Sequence, residues 1–445
     1  MPSRVTSTYL GIARFILPLS LTSLLITLSH SIVNAGVART SDPEVALAAY
    51  ALAKSLVMLI ENPMFMVRQT VASLVKDLPS FIRVRRYIYS MAAGITLILA
   101  ILGFSPLGYY VLTNIMGASD SLAKQSHLAL MVLFLLPIST VCRNLYHGVA
   151  IIARQTLLVP LSTTVRLIIM SSVVFILALA TDIPGALVAS ISFVGAFFGE
   201  AFIMRWKAKP LLHNPTIFSR VSISEELTNP VISRFFLPLM VTTLVATAFG
   251  PLVNTGLTRT ASPEITLAAY SVGLGLAQLV LAPLGMLHQS TLAFTSVDQP
   301  ESYKTTKIFT VGFVLLSMVV LAIFSFTPIG SWILLGLIGV SPQVAEHALM
   351  VMGVLTLQPI FIGWREYLWG ILMQQNLTGI IGKAKAVNLV VVVGTLVSLL
   401  AFPSVHPAAA GGASLVVGEL ADCIFMQIYY RRTNVYRQTQ QSLHV

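Results

Sequence analysis

The segment RFILPLSLTSLLITLSHSIVNAGVARTSDPEVALAAYALAKSLVMLIENPMFMVRQ, Arg14 to Gln69, returns later in the same chain as RFFLPLMVTTLVATAFGPLVNTGLTRTASPEITLAAYSVGLGLAQLVLAPLGMLHQ, Arg234 to Gln289. The copies align without a gap at an offset of 220, and about 24 of the 56 positions are identical. The identities include Arg14/Arg234, Pro18/Pro238, Asn34/Asn254, Gly36/Gly256, Arg39/Arg259, Glu44/Glu264, Tyr50/Tyr270 and Pro63/Pro283. Nearly all of the segment is apolar. A hydrophobic half that occurs twice is the signature of a transporter built from two bundles around a central site.

The rest of the chain agrees. Of its 445 residues 56% are hydrophobic and 10% charged, where a soluble domain carries about a quarter charged. Twelve apolar spans, from 12–37 to 407–429, are each long enough to cross a bilayer as a helix. The fold class is therefore an all-α polytopic membrane protein, with twelve transmembrane helices in two parallel six-helix repeats. The divisions are an N-terminal lobe at 1–206, a polar cytoplasmic linker at 207–230, a C-terminal lobe at 231–430 and a cytoplasmic tail at 431–445. The first apolar run reads as a mature helix, because a cleaved signal would not be repeated in mid-chain.

The net charge of +11 suggests nucleic acid only in a soluble protein. Here it follows the positive-inside rule. About 19 Lys and Arg, among them Lys76, Arg83, Arg85, Arg86, Arg154, Arg220, Arg432 and Arg437, lie on the side holding both termini. Three, Arg39, Lys124 and Arg259, lie opposite, which places both termini in the cytoplasm. The halves then share one orientation, related by an axis along the membrane normal. On the outer side, Asp42-Pro43-Glu44, Ser262-Pro263-Glu264 and Ser341-Pro342-Gln343 each read as a helix start, with Glu44 and Glu264 as structural first-turn acids. The repeat continues more weakly at an offset of 222: Gly117, Pro137, Arg143 and Gly148 answer Gly339, Pro359, Arg365 and Gly370.

A charge near the bilayer centre costs about 3 kcal/mol on insertion scales, so each one is a candidate for function. Helix 2 carries Lys54, Glu61 and Arg68 at spacings of seven, which places them on one face. The corresponding Leu274, Leu281 and His288 break that pattern in the second copy. One reading is an internal salt-bridge ladder. The other is an electropositive wall of a cavity that attracts an anion. Arg143 and Arg365 are likewise either a helix-end or inter-bundle tie or a fork for anionic oxygens. Glu366, beside Arg365, points about 100° away. Arg166 reads as a snorkelling residue. Glu200 with Arg205, and Glu419 and Asp422 with Arg431, read as interfacial pairs, with Asp422 an alternative proton or sodium carrier. His30 is the histidine of helix 1 that can titrate near neutral pH. His147 and His288 lack a helix-spaced acidic partner. Pro18/Pro238, Pro63/Pro283 and Pro137/Pro359 should bend their helices toward protein or water.

Several chemistries are missing. There is no phosphate-binding Gly-rich loop, no HExxH, no GxSxG and no zinc spacing, and the two cysteines lie in apolar segments. No enzyme, no metal site and no nucleic-acid partner is expected.

The motifs also carry a resemblance. Arg14-Phe15-x-Leu17-Pro18-Leu19 opening each half is similar to the lobe starts of the multidrug/oligosaccharidyl-lipid/polysaccharide (MOP) exporter superfamily. Leu107-Gly108-Tyr109-Tyr110, Ile115-Met116-Gly117 and the Pro137, Arg143, Gly148 series resemble the progressive ankylosis (ANK) branch and, more loosely, MATE proteins. Ala48 to Leu56 also looks like the ANK branch. The resemblance implies a V-shaped MATE-like pair of lobes that rock between inward- and outward-open states, and export of anions such as citrate, nucleotides or pyrophosphate. MATE multidrug exporters usually carry an acid in helix 1, 7 or 8. This chain has none there beyond Glu264 at a cap.

The leading expectation is thus a secondary exporter of an anionic or amphipathic small molecule, monomeric and in the plasma membrane among lipids. Lys54, Glu61, Arg68, Arg143 and Arg365 are the candidate substrate residues. Glu61, His30, Asn34 and Asn254 are the candidates for H⁺ or Na⁺ coupling, with no cofactor. The competing readings are a flippase for a lipid-linked precursor, cation-coupled multidrug efflux, and a non-transporting membrane scaffold.

Overall fold

The computed structural model describes residues 9–431 apart from 154, 156, 216–217, 219–226, 296–299, 375–376 and 403. Part of the linker, nearly all of the tail, and Arg154, Arg220, Arg432 and Arg437 of the charge count lie outside the described residues.

In chain order the helices are α1 (Tyr9–Val37), α2 (Pro43–Glu61), α3 (Val67–Leu74), α4 (Leu78–Phe104), α5 (Pro106–Tyr110), α6 (Asp120–Leu133), α7 (Leu136–Ile152), α8 (Leu158–Ala180), α9 (Gly185–Ala208) and α10 (Asn229–Thr247). After these come α11 (Phe249–Leu257), α12 (Pro263–Leu281), α13 (Leu287–Phe294), α14 (Pro300–Phe326), α15 (Pro328–Trp332), α16 (Pro342–Leu355), α17 (Gln358–Gln374), α18 (Thr378–Leu400) and α19 (Pro407–Tyr430). Among the described residues, eight segments are long and apolar enough to cross a membrane, with α2–α3 and α12–α13 each counted as one through its 3₁₀ turn, or ten spans if the bent pairs α6–α7 and α16–α17 each count as one. The expected twelve requires α1 and the α10–α11 pair as well.

The duplication reaches further in three dimensions than in sequence. Helices α2, α3, α8 and the 3₁₀ turn Asn62–Met66 have counterparts α12, α13, α18 and Ala282–Met286 displaced by 220 residues. Helices α4, α6, α7 and α9 answer α14, α16, α17 and α19 at 222. Two features recur because backbone geometry demands them. Gly117 and Gly339 close the turns before α6 and α16 with φ of 73° and 84°, a left-handed conformation that costs other residues energy. Gly148 and Gly370 let helices touch: a Cβ on either would lie 2.5 Å from Val71 Cβ or 2.3 Å from Thr291 Cβ.

Chain contacts divide the protein into two compact units: residues 1–31 with 269–445, and residues 32–268. In the second unit α7 packs on α3 and α9, α2 on α6 and α9, and α10 on the 3₁₀ turn after α2. In the first, α17 packs on α13, α14 and α19, and α18 on α19. These units do not follow the repeat boundary, since α10 and α11 group with the first repeat.

Local chemistry sets the helix ends and breaks. Asp77 and Ser80 form a reciprocal capping box that starts α4 well before its apolar run: Ser80 N–H donates to Asp77 Oδ1 at 2.8 Å, and Asp77 N–H donates to Ser80 Oγ at 3.1 Å. The Pro63 and Pro283 positions turn the expected single helices into an α–3₁₀–α series. The α6–α7 and α16–α17 pairs bend by 42° just before Pro137 and Pro359. Ser341 caps α16 as expected, accepting from Val344 N–H. Glu264 is in the first turn of α12, and also takes a 2.6 Å hydrogen bond from the Ser119 hydroxyl. Leu97, Ile98, Ile101 and Phe104 of α4 stand exposed, which in this setting is a lipid-facing stripe.

Candidate functional site

The unit of residues 32–268 encloses a cluster of buried charge. Glu200, on α9 and 1% exposed, receives Arg143 from α7 at 3.1 Å and Arg166 from α8 at 3.2 Å, both on Oε2. The Thr163 hydroxyl donates to its Oε1 at 3.2 Å. One turn earlier on α9, Phe197 lies against both guanidiniums, 4.9 and 5.1 Å from its ring centre, and Phe65 lies 5.2 Å from Arg143. These rings exclude water and offer a π face to each cation. The sequence reading put Arg166 and Glu200 at the membrane edge. The structure corrects this: Glu200 pairs inward with two helices rather than with Arg205.

The helix-2 charges join the same cluster in different ways. Lys54 stands over the rings of Tyr50 and Phe193, at 5.4 and 5.1 Å. Glu61 is fully buried, and its Oε1 accepts from the Thr140 hydroxyl of α7. Its Oε2 has no hydrogen-bond partner among the described residues. Arg68, on α3, is exposed. Arg143 is within electrostatic reach of Glu61 and Arg68, and Arg166 of Lys54. The three do not form one stripe. A 3₁₀ turn advances about 120° per residue against 100° for an α-helix, so the five-residue turn rotates α3 by about 100°. Nor does Glu61 close a salt-bridge ladder, since it makes no ion pair with Lys54 or Arg68. The bend faces protein, as expected: the Asn144 amide donates to the Met64 carbonyl of the turn at 3.1 Å.

The other unit holds the counterpart. Arg365 on α17 bonds Glu366 at 2.6 and 3.0 Å and also Glu419 of α19. Neighbours on a helix meet here because the arginine stem is long enough to reach around, which corrects the expected 100° separation. Lys385 of α18 bonds Asp422 of α19 at 2.5 Å, and Trp369 lies under both Arg365 and Lys385. Glu419 and Asp422 therefore pair within the bundle, not with Arg431. His288 does have an acidic partner, Glu366 at 2.7 Å, supplied across helices rather than by helix spacing.

The two clusters are related by the duplication yet differ in charge. Arg143 and Glu200 correspond to Arg365 and Asp422 at the offset of 222, while Asn144 and Phe197 correspond to Glu366 and Glu419. Two neutral residues in one copy are thus carboxylates in the other. Among the described residues, Lys54, Arg143 and Arg166 stand with Glu61 and Glu200 in the first cluster, whereas Arg365 and Lys385 stand with Glu366, Glu419 and Asp422 in the second. The first cluster has an excess of cation and the second does not.

Of the remaining candidates, Asn254 is nearly buried and its amide donates to the Ala51 carbonyl of α2 at 3.2 Å, which ties α11 to that helix. Asn34 is equally buried, and His30 is half-buried in α1. Arg166, Glu200, Thr140 and Thr163 were missed as site residues. The signal for Glu200 was available, because it and Asp422 align at the offset of the second half of the repeat.

Comparison with known proteins agrees with the resemblance read from the motifs. A profile of the progressive ankylosis protein (ANKH) family matches residues 2–197. Among solved structures, an inward-facing multidrug resistance MATE family transporter of the MOP superfamily matches with a TM-score of 0.73 at 13% identity, covering 95% of this chain and 99% of that one. A variant of the Vibrio cholerae MATE transporter VcmN matches with a TM-score of 0.60 at 17% identity, covering 96% and 99%. The lipid II flippase MurJ in an inward closed conformation matches with a TM-score of 0.61 at 13% identity, covering 95% and 90%. At such identities the likeness is one of fold, and the fold is that of the MATE transporters.

Proposed function

We propose that this chain is a secondary active transporter that carries a small multivalent anion of the carboxylate or phosphate class outward across the plasma membrane by alternating access. The observation that carries this reading is the excess of cations over carboxylates among the described residues around Glu200, in the one repeat and not in the other. A charge excess in an apolar surround is costly unless a counter-ion visits it. Arg143 and Arg166 present guanidinium forks suited to carboxylate and phosphate oxygens, and Lys54 adds a point charge. Glu200 acts as the resident counter-ion that holds both forks in place between visits. The fold of the MATE transporters and the ANKH-family match over the first repeat support the same reading.

Glu61 is the proposed proton carrier. It is a buried carboxyl whose second oxygen lacks a hydrogen-bond partner among the described residues, and a proton there removes the cost of an uncompensated charge. Thr140 holds the other oxygen.

The test is flux of labelled citrate, pyrophosphate and a nucleotide in proteoliposomes. Lys54→Ala and Arg143→Gln are expected to abolish flux while the protein stays folded and monomeric on sizing. Glu61→Gln is expected to keep anion exchange but lose accumulation driven by a pH gradient. Normal flux in both cation variants sinks the anion reading. Flipping of a pyrophosphate-linked lipid, with no flux of any soluble anion, would instead favour the flippase reading through the same cations.

A further inference from the structure

A second basic site lies on the surface, away from the buried charges. A cleft of about 600 Å³ opens between the start of α4 and the start of α10, lined by Arg83, Arg86, Tyr87, Ser90, Thr228 and Asn229 beside Pro230. Every one of the six can donate a hydrogen bond, and no described lining residue is acidic. Arg83 is oriented by a 3.0 Å bond from its guanidinium to the Leu227 carbonyl, just before α10. Arg86 is exposed and has no hydrogen-bond or ion-pair partner among the described residues. All of this belongs to the arginine-rich side that the charge count assigns to the cytoplasm.

The remaining length of α4 narrows the ligand. Positions 83, 87, 90, 94, 97, 101 and 104 recur at spacings of four and three, so they share one helix face. That face is basic and hydroxylated at its start and exposed and apolar at Leu97, Ile101 and Phe104. Beside it runs an apolar groove of about 430 Å³, lined by Tyr89, Ala92, Ala93, Thr96, Leu97 and Ala100 of α4 with Ile138 of α7. From Arg86 to Leu97 the helix rises about 16 Å, roughly half of a hydrocarbon core of about 30 Å. A donor-rich basic cleft at the start of α4 and a separate apolar groove further along the same helix, together spanning about one leaflet, fit one kind of molecule.

We propose that this surface binds an anionic phospholipid, its phosphate in the Arg83–Arg86 cleft and an acyl chain in the groove along Ala93 and Leu97. A soluble phosphate would use the cleft but not the groove, and a neutral lipid the groove but not the charges. The site is independent of the Glu200 cluster and does not require that cluster to bind substrate.

The full-length protein, in nanodiscs of equimolar phosphatidylcholine and phosphatidylglycerol, is released for native mass spectrometry and the lipids that remain bound are counted. Preferential retention of phosphatidylglycerol is expected. Arg83→Gln with Arg86→Gln should weaken it by about 30-fold. Ala93→Phe should weaken retention by filling the groove, although it leaves all charges in place. Arg85→Gln is the control, since Arg85 sits over the Phe81 ring and does not line the cleft. Equal retention of the two lipids overturns the proposal. So does an Arg85→Gln effect as large as the double variant, which would show only net charge, or full displacement by millimolar inorganic phosphate, which would mark a soluble-anion site. Glu225 and Glu226 stand just before Leu227 in the sequence. A lipid preference that appears only in Glu225→Gln with Glu226→Gln, and not in the natural chain, also overturns the proposal.

Discussion

Replacing Glu200 by Gln removes the carboxylate shared by Arg143 and Arg166 but keeps its shape. Glu200 is 1% exposed, and the two guanidiniums approach it at 3.1 and 3.2 Å from different helices. Breaking a buried pair from one side costs about 3–5 kcal/mol, because the charge left behind is uncompensated. Here two like charges are left, so a loss of at least about 3 kcal/mol is expected. The comparison is Glu419→Gln in the other unit, where Arg365 keeps Glu366 at 2.6 Å and the loss should be clearly smaller. The assay is equilibrium unfolding in mixed micelles, followed by circular dichroism. The decisive arm adds anion. If the guanidiniums form the substrate clamp, citrate or pyrophosphate at a hundred times its Kd should restore about 2.7 kcal/mol to Glu200→Gln. A variant as stable as the parent would refute the burial argument. A destabilised variant that no anion restores would leave Glu200 as a purely structural tie and refute the clamp.

Other consequences are simpler to read. Gly148→Ala and Gly370→Ala each force a Cβ into Val71 or Thr291, and overpacking of this kind should cost about 1–3 kcal/mol in the same unfolding assay. Gly339→Ala, at a φ of 84°, should lose about 1 kcal/mol or more, whereas Gly336→Ala, within a helical turn and free of close neighbours, should not. At the start of α19, His406 accepts the Ala408 N–H through Nδ1 and stacks on His347 at 3.9 Å. Burial, with the His347 charge second, holds its imidazolium form below the usual range, while Glu346 opposes this. The unfolded chain then takes up the proton first, so stability is full above about pH 6.5 and falls as pH drops through that value toward the lower folded value. A His406→Asn variant keeps a capping side chain and should flatten that slope; an unchanged slope would assign it to another group.

The fold was legible because it was written twice. Apolar length, the Asp/Ser-Pro helix starts and the prolines at 63/283 and 137/359 all act locally and appear in the structure as helix starts or breaks, although Asp42 makes no side-chain cap bond and α1 and α10 run unbroken past Pro18 and Pro238. What was not legible depends on distance between helices. Arg166 and Glu200 are 34 residues apart, and each alone looks like a side chain near a membrane edge. Only the packing of α8 on α9 turns them into a pair. The helix-2 stripe failed for the opposite reason, a local one: helical periodicity was carried through Pro63, where the backbone tightens to 3₁₀ and the register shifts. His288 and Glu366 met across helices, where no spacing rule looks. Arg143 and Arg365 were found because both copies keep them.

The grouping of α10 and α11 with the first repeat bears on how such a chain can be divided. A cut in the 207–230 linker looks, on the sequence, like a clean separation of two equal halves. In the structure α10 lies on the 3₁₀ turn after α2 and also touches α3 and α4, while α11 lies on α2. A fragment ending before residue 229 would therefore bare the face of α2 that those helices cover. The two fragments made as separate polypeptides should hold together and function only when synthesised in one cell. The duplicated halves would then be obligate partners, and a first repeat that folds and stays soluble in detergent on its own would refute this.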